Sequence, residues 1–163
     1  MASVFLGVID RTFTYSFVVG KFREVGPGFR IPIDIALAPD DIIYVVNRGY
    51  ELRPKGVRIT VIRLADDGEE YINEFGTYGK GPGEFLWPTS IALDKDTNVY
   101  IADEHLHRIT VHNKDGEYLT HWGDQGPGNG ELNRPSGLAI REDILFVVDS
   151  RNHRVQKLTL DGK

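Results

Sequence analysis

One pattern occurs three times in this chain, and an internal repeat constrains the fold more than any bulk property does. The copies open with PIDIALAPDDIIYVVN at residues 32–47, PTSIALDKDTNVYIAD at 88–103 and PSGLAIREDILFVVD at 135–149. A glycine-rich run precedes each: GPGFRIP, GKGPGEFLWP and GPGNGELNRP. An arginine-led apolar segment follows each: VRITVIRLADDGEEYINEFG, HRITVHNKDGEYLTHWG and HRVQKLTLDGK. The leading prolines are Pro32, Pro88 and Pro135, intervals of 56 and 47 residues.

Each copy reads as four short strands, here called A to D. In the second copy, strand A is SIAL (90–93) and ends in turn residues. Strand B is NVYIA (98–102), rich in β-branched and aromatic residues. Strand C is RITVHN (108–113), closed by the hairpin signal KDG, and strand D is EYLTHWG (117–123). Helical periodicity is hard to find anywhere. Four antiparallel strands in a unit of about 40 to 50 residues is the arithmetic of a β-propeller blade. The expected organisation is one domain over 1–163: a strand D at 12–20, blades at 26–79 and 80–126, and a blade at 127–163 without its own strand D. Residues 3–9 read as an additional strand outside that count.

The run NHRV at 152–155, set within RPSGLAI…LFVVDSRNHRVQKL, resembles the signature of the NHL repeat. The second copy is similar with Leu-His-Arg-Ile at that place, and the first departs most, with Val57-Arg58-Ile59 after a longer loop. The resemblance covers about residues 12–163. It implies an all-β propeller, six-bladed in most of the family, and no single activity, because NHL propellers serve as protein-binding modules, RNA readers, lyases and hydrolase-like enzymes. Fold alone does not assign function.

Features present in every copy read as architecture. Asn47, Asp103 and Asp149 all end strand B, where a short polar side chain can accept backbone N–H bonds in a tight turn. Arg58, Arg108 and Arg154 all open strand C. Function is better sought where the copies differ. The loops between strands B and C span 11, 5 and 5 residues, so the first carries a six-residue insertion within NRGYELRPKGVR. Insertions on one face of a repeat protein often form its binding surface. This loop supplies Tyr50 and Arg53 as candidates, with Arg48, Glu51 and Lys55. The residue before each leading proline also varies, as Ile31, Trp87 and Arg134. Trp87 with Phe85 offers an aromatic surface, and Arg134 a fixed cation. The expected ligand-binding set is therefore Tyr50, Arg53, Phe85, Trp87 and Arg134, on the face shared by the B–C and D–A loops.

Strand A begins differently in each copy, with Asp34, Ser90 or Gly137, and Asp34 either holds a cation or bonds a neighbour's backbone. His105 and His107 stand two apart beside carboxylates, a spacing that would suit a metal on one face of a strand. Zinc or calcium at Asp34, His105 or His107 is a weak alternative, and no cofactor is the expectation. The metal set of NHL lyases finds no residue-by-residue match, and no Ser-His-Asp or Gly-x-Ser-x-Gly arrangement is present. The glycine-rich loops lack the following helix of a phosphate loop.

Bulk properties exclude several classes. The net charge of −5 argues against a nucleic-acid partner. The absence of cysteine removes disulfides and thiolate metal sites. No apolar run approaches the roughly 20 residues that span a bilayer, and the N-terminus lacks the basic start of a signal peptide, so a cytoplasmic protein without membrane contact is expected. Three blades do not close a ring, and an open arc exposes a strand edge. The expectation is a homodimer forming one six-bladed propeller by exchange of residues 12–19. The rival is that the chain is a piece of a longer propeller. The functional reading is a scaffold that binds a protein or small ligand rather than an enzyme, and the alternative is a metal-assisted lyase or hydrolase with axial residues.

Overall fold

A computed structural model describes residues 16–49, 55–66 and 68–163. Tyr50, Arg53 and the proposed strand at 3–9 lie outside the described residues, as do residues 12–15 of the proposed N-terminal strand D. The described part of that segment, residues 16–20, forms no strand in the single chain.

Three antiparallel sheets follow one another along the chain. The first contains β1 (Pro32–Leu37), β2 (Ile42–Asn47), β3 (Arg58–Ala65) and β4 (Gly68–Phe75). Two short strands, β5 (Thr77–Tyr78) and β6 (Glu84–Phe85), pair in parallel within the connection to the second sheet. That sheet contains β7 (Pro88–Leu93), β8 (Val99–Asp103), β9 (Arg108–His112) and β10 (Tyr118–Trp122). The third contains β11 (Pro135–Arg141), β12 (Ile144–Asp149) and β13 (Arg154–Thr159), with a 3-10 turn at Ser150–Asn152. In the letters used above, the described strands of the three sheets run A to D, A to D and A to C. The parallel pairing inside the connector was not foreseen.

The blades stack on one another through their flat faces, because period-2 alternation gives each inner strand two apolar sides. Tyr44, Val46 and Ile59 of the first blade pack with Ile91, Val99 and Ile101 of the second. Tyr100, Ala102 and Ile109 of the second pack with Leu145, Val147 and Leu158 of the third. The residues alternating with these therefore face the opposite neighbour. At about 25 cal/mol per Å2 of apolar surface removed from water, burial of the eight residues of the second cluster is the main attraction between those two blades.

The leading strands β1, β7 and β11 lie side by side. A polar ladder joins them. Ser90 Oγ and Ile91 N donate to Asp34 Oδ2 at 2.7 and 2.9 Å, and Leu138 N donates to Ser90 Oγ at 3.1 Å. Of the two roles weighed for Asp34, the structure shows the bond to a neighbour's backbone.

Candidate functional site

The glycine-rich connectors fold back on themselves in the same way three times. Phe29 N donates to Lys21 O, and Leu132 N to Asp124 O, both at 2.8 Å. Entry to each connector is a glycine with positive φ, Gly20, Gly76 or Gly123, whose missing Cβ leaves room for Phe29, Phe85 or Leu132. The strand C arginine of the same blade pins the loop. Arg58 donates to the carbonyls of Glu24 and Gly28, both at 3.0 Å. Arg108 donates to Lys80 O at 3.1 Å and Glu84 O at 3.0 Å, and Arg154 to Pro127 O at 2.7 Å and Glu131 O at 3.0 Å.

The strand B terminus completes the clasp. Asn47 Oδ1 accepts Arg30 N at 2.8 Å, Asp103 accepts Leu86 N at 2.7 Å, and Asp149 accepts Asn133 N at 2.6 Å. All three side chains are buried. Burial opposes ionisation of Asp149, yet the Asn133 N–H, the Asn152 amide and the Arg154 guanidinium outweigh it and hold the carboxyl below its ordinary range. The repeated aspartate and arginine are thus parts of a loop clasp, as their recurrence suggested.

Above this common layer the blades differ. Arg48, the first residue after β2, reaches the second blade, where its guanidinium stacks 4.6 Å from the Trp87 ring centroid and donates to Pro88 O at 3.2 Å. One blade on, the matching pair is an ion pair, Arg134 Nη1 to Glu104 Oε1 at 3.0 Å. Arg134 N also donates to His107 Nδ1 at 3.1 Å. Burial, then the Arg134 and His105 charges, lower the His107 pKa from 6.5, which suits an imidazole acting as acceptor. Beside the insertion, Lys55, Arg58, Glu74 and Tyr78 line a cavity of about 460 Å3.

Of the expected site residues, Trp87 and Arg134 do lie on this face, at successive blade junctions. Phe85 does not: it is fully buried in the interblade core. Its apolar equivalents Phe29 and Leu132 carried that signal, because a feature present in every copy is architecture. Sequence reasoning named Arg48 only as part of the insertion and missed its contact with Trp87. His105 is exposed, and His107 is committed to Arg134. Among the described residues no group of three or more histidine, aspartate or glutamate side chains is placed to hold a metal. No helix among them is long and apolar enough to cross a membrane.

Repeated blades with this clasp define a propeller-type protein. Residues 132–158, within the third blade, match the NHL repeat. Solved structures similar to the chain include streptogramin B lyase, with 16% identity and a TM-score of 0.58 over 81% of this chain and 38% of that one. A gluconolactonase of Xanthomonas campestris is 20% identical, with a TM-score of 0.52 over 74% of this chain and 35% of that one. Virginiamycin B lyase from Staphylococcus aureus is 16% identical, with a TM-score of 0.55 over 81% and 39%. Likeness at these identities establishes the fold. The chain spans less than two-fifths of the length of each. A comparison with curated proteins gives no match.

Proposed function

We propose that this chain is a propeller scaffold whose B–C/D–A face binds a protein segment or small ligand carrying an anionic group beside an apolar one. The observation that carries the reading is Arg48 stacked on Trp87, a cation–aromatic pair made on the face where the clasp leaves side chains free to vary. Arg134 and Lys55 add positive charge on the same face of an otherwise acidic chain. Tryptophan and arginine are the residue types that most often dominate the energetics of protein interfaces. The insertion residues Tyr50 and Arg53 extend this face in the proposal, and six blades closed by a homodimer form the complete ring.

The chain has two tryptophans, so Trp122→Phe leaves Trp87 as the sole reporter. Titration with benzoate, citrate and a glutamate-rich peptide is expected to change its fluorescence saturably for at least one probe, with the response lost in Arg48→Ala. No saturable change with any probe refutes the site. A metal-assisted lyase or hydrolase using Asp34 and His105 is the competing class. Stoichiometric zinc or calcium in purified protein, lost with Asp34→Ala, would favour it. The hydrogen bonds that occupy Asp34 and His107 weigh against it.

A further inference from the structure

The two ends of the described chain hold complementary halves of contacts that the chain already makes internally. In the first two blades, strand C pairs with a strand D: β3 with β4 and β9 with β10. Among the described residues nothing pairs with the outer edge of β13. Along that edge runs a groove of about 490 Å3, with Val155, Gln156, Leu158 and Gly162 in its lining. Thr159 N donates to Lys163 O at 2.7 Å, the same turn that Asn113 and Glu117 make ahead of β10.

The missing strand has a counterpart at the other end. Gly76 and Gly123 enter their connectors directly from β4 and β10. Gly20 enters the first connector in the same backbone state, so residues 16–19 stand where a strand D stands, without a sheet. Phe17 and Val18 are 40% and 78% exposed.

The flat faces show the same division. Val155 and Val148 are 64% and 41% exposed, whereas their equivalents Ile59 and Val46, and Ile109 and Ala102, are at 0%. On the opposite side of the chain Ile35 is 54% exposed, whereas its equivalent Ile91, packed against the preceding blade, is at 4%. The bare side of the third blade thus lacks a partner of the kind that the bare side of the first blade supplies.

We infer that residues 16–19 of a second copy of this chain insert as strand D beside β13, while that copy's Ile35 packs on Val148 and Val155. The inference rests on the ring reading above and adds its register. Trp122 pairs with Ile109 and Thr120 with Val111, and Phe75 pairs with Ile59 and Asn73 with Val61. Carried over, Val19 faces Val155 and Phe17 faces Lys157 of the other copy. The contact occurs at both seams of a two-fold dimer, which closes the assembly. Lys157 stands where the other blades have Val61 and Val111, so one charge enters an otherwise apolar junction.

The chain has no cysteine, which leaves engineered thiols unambiguous. Phe17→Cys with Lys157→Cys in one chain places two exposed positions opposite each other. Phe17→Cys with Val155→Cys is shifted by two residues, and a disulfide needs closely opposed Cα atoms. With oxidised glutathione, the first pair should give a covalent dimer about tenfold more than the shifted pair. Light scattering of the unmodified chain should give twice 18.3 kDa. A dimer that cross-links equally in both variants, or in neither, overturns the strand insertion and leaves the ring reading standing. A monomer of 18.3 kDa overturns both.

Discussion

Replacing His112 with leucine should remove a specific acid sensitivity from the fold. His112 ends β9 and is 2% exposed, ringed by Phe75 at 4.9 Å, Phe85 at 5.7 Å and Tyr118 at 6.0 Å between ring centroids. Its Nδ1 is buried without a hydrogen-bond partner among the described residues. Burial pushes its pKa from 6.5 down to about 4, against a smaller upward pull from a hydrogen bond to the Gly83 backbone. The unfolded chain therefore takes up the proton first. Stability from this residue is complete above 6.5 and is lost as the pH falls towards about 4.

Proton linkage gives a loss of about 2 kcal/mol by about pH 5, against about 0.2 kcal/mol at pH 7. The equivalents of His112 in the other blades are Ile62 and Leu158, both buried, so leucine suits the position. It also removes a buried nitrogen without a partner, an arrangement that costs roughly 1–3 kcal/mol. Urea unfolding followed by circular dichroism should show the gap between His112→Leu and the parent growing by about 2 kcal/mol, in favour of the variant, between about pH 7 and pH 5. His107 and His121, also lowered chiefly by burial, are present in both proteins and cancel. A gap that stays constant to within about 0.5 kcal/mol refutes the assignment of a buried, neutral imidazole.

The clasp makes its own predictions. Asp103 also accepts the Trp87, His105 and Leu106 N–H groups, so Asp103→Ala should cost about 3–5 kcal/mol in urea unfolding. Asn47→Asp should also destabilise, by about 2–4 kcal/mol, because the Asn47 amide donates to Val45 O and Thr60 Oγ1 and a carboxylate would face the Val45 carbonyl. Gly76→Ala would bring a Cβ within 2.3 Å of the Phe85 ring at a φ of 76° and should cost well above the roughly 1 kcal/mol expected for Gly26→Ala, where no atom lies within 4 Å; equal melting shifts would contradict the packing of that connector. Ser90→Ala should lose about 1–3 kcal/mol through the Asp34 and Leu138 bonds, measured by the same unfolding curves.

What the sequence made legible was whatever recurs. Three copies of proline, strand, turn, strand and arginine mark the three antiparallel sheets, which have four, four and three strands among the described residues. The connectors were legible only as loops, because β5 and β6 are two residues each, too short for any periodicity to show. Phe85 was misplaced because its nearness to Trp87 in sequence was weighed above its match to Phe29 and Leu132. His112 escaped for the opposite reason. It is a single polar residue at a position that is apolar in both other copies, and its burial depends on Phe75 from the neighbouring blade, a contact that no single strand pattern encodes. The Arg48–Trp87 pair likewise joins residues 39 positions apart across a blade junction.

The clasp also explains why this fold can vary its upper face. In each blade the connector is fixed from below, by an arginine that donates to main-chain carbonyls and a strand B side chain that accepts main-chain N–H groups. Those bonds constrain the backbone of the loop and leave most of its side chains unspecified. Arg48 with Trp87 and Glu104 with Arg134 occupy the same relative position at successive junctions, one by stacking and the other by charge. The Arg134–Glu104 pair is partly exposed and contributes little to stability, about 1 kcal/mol or less, whereas Arg48 and Trp87 are half-buried at their junction. The polar ladder beneath shows the same separation. It runs from Asp34 to Ser90 to the backbone of β11, and at the next step stands Gly137, which offers no side chain to a following blade. Ile35 N, the donor that such a blade would present if it were a second copy, is already bonded to Asp34 Oδ1 at 2.9 Å. A junction between the third blade and a second copy's first blade would therefore leave no buried donor orphaned at that rung, and its attraction would fall to the apolar faces and the exchanged strand.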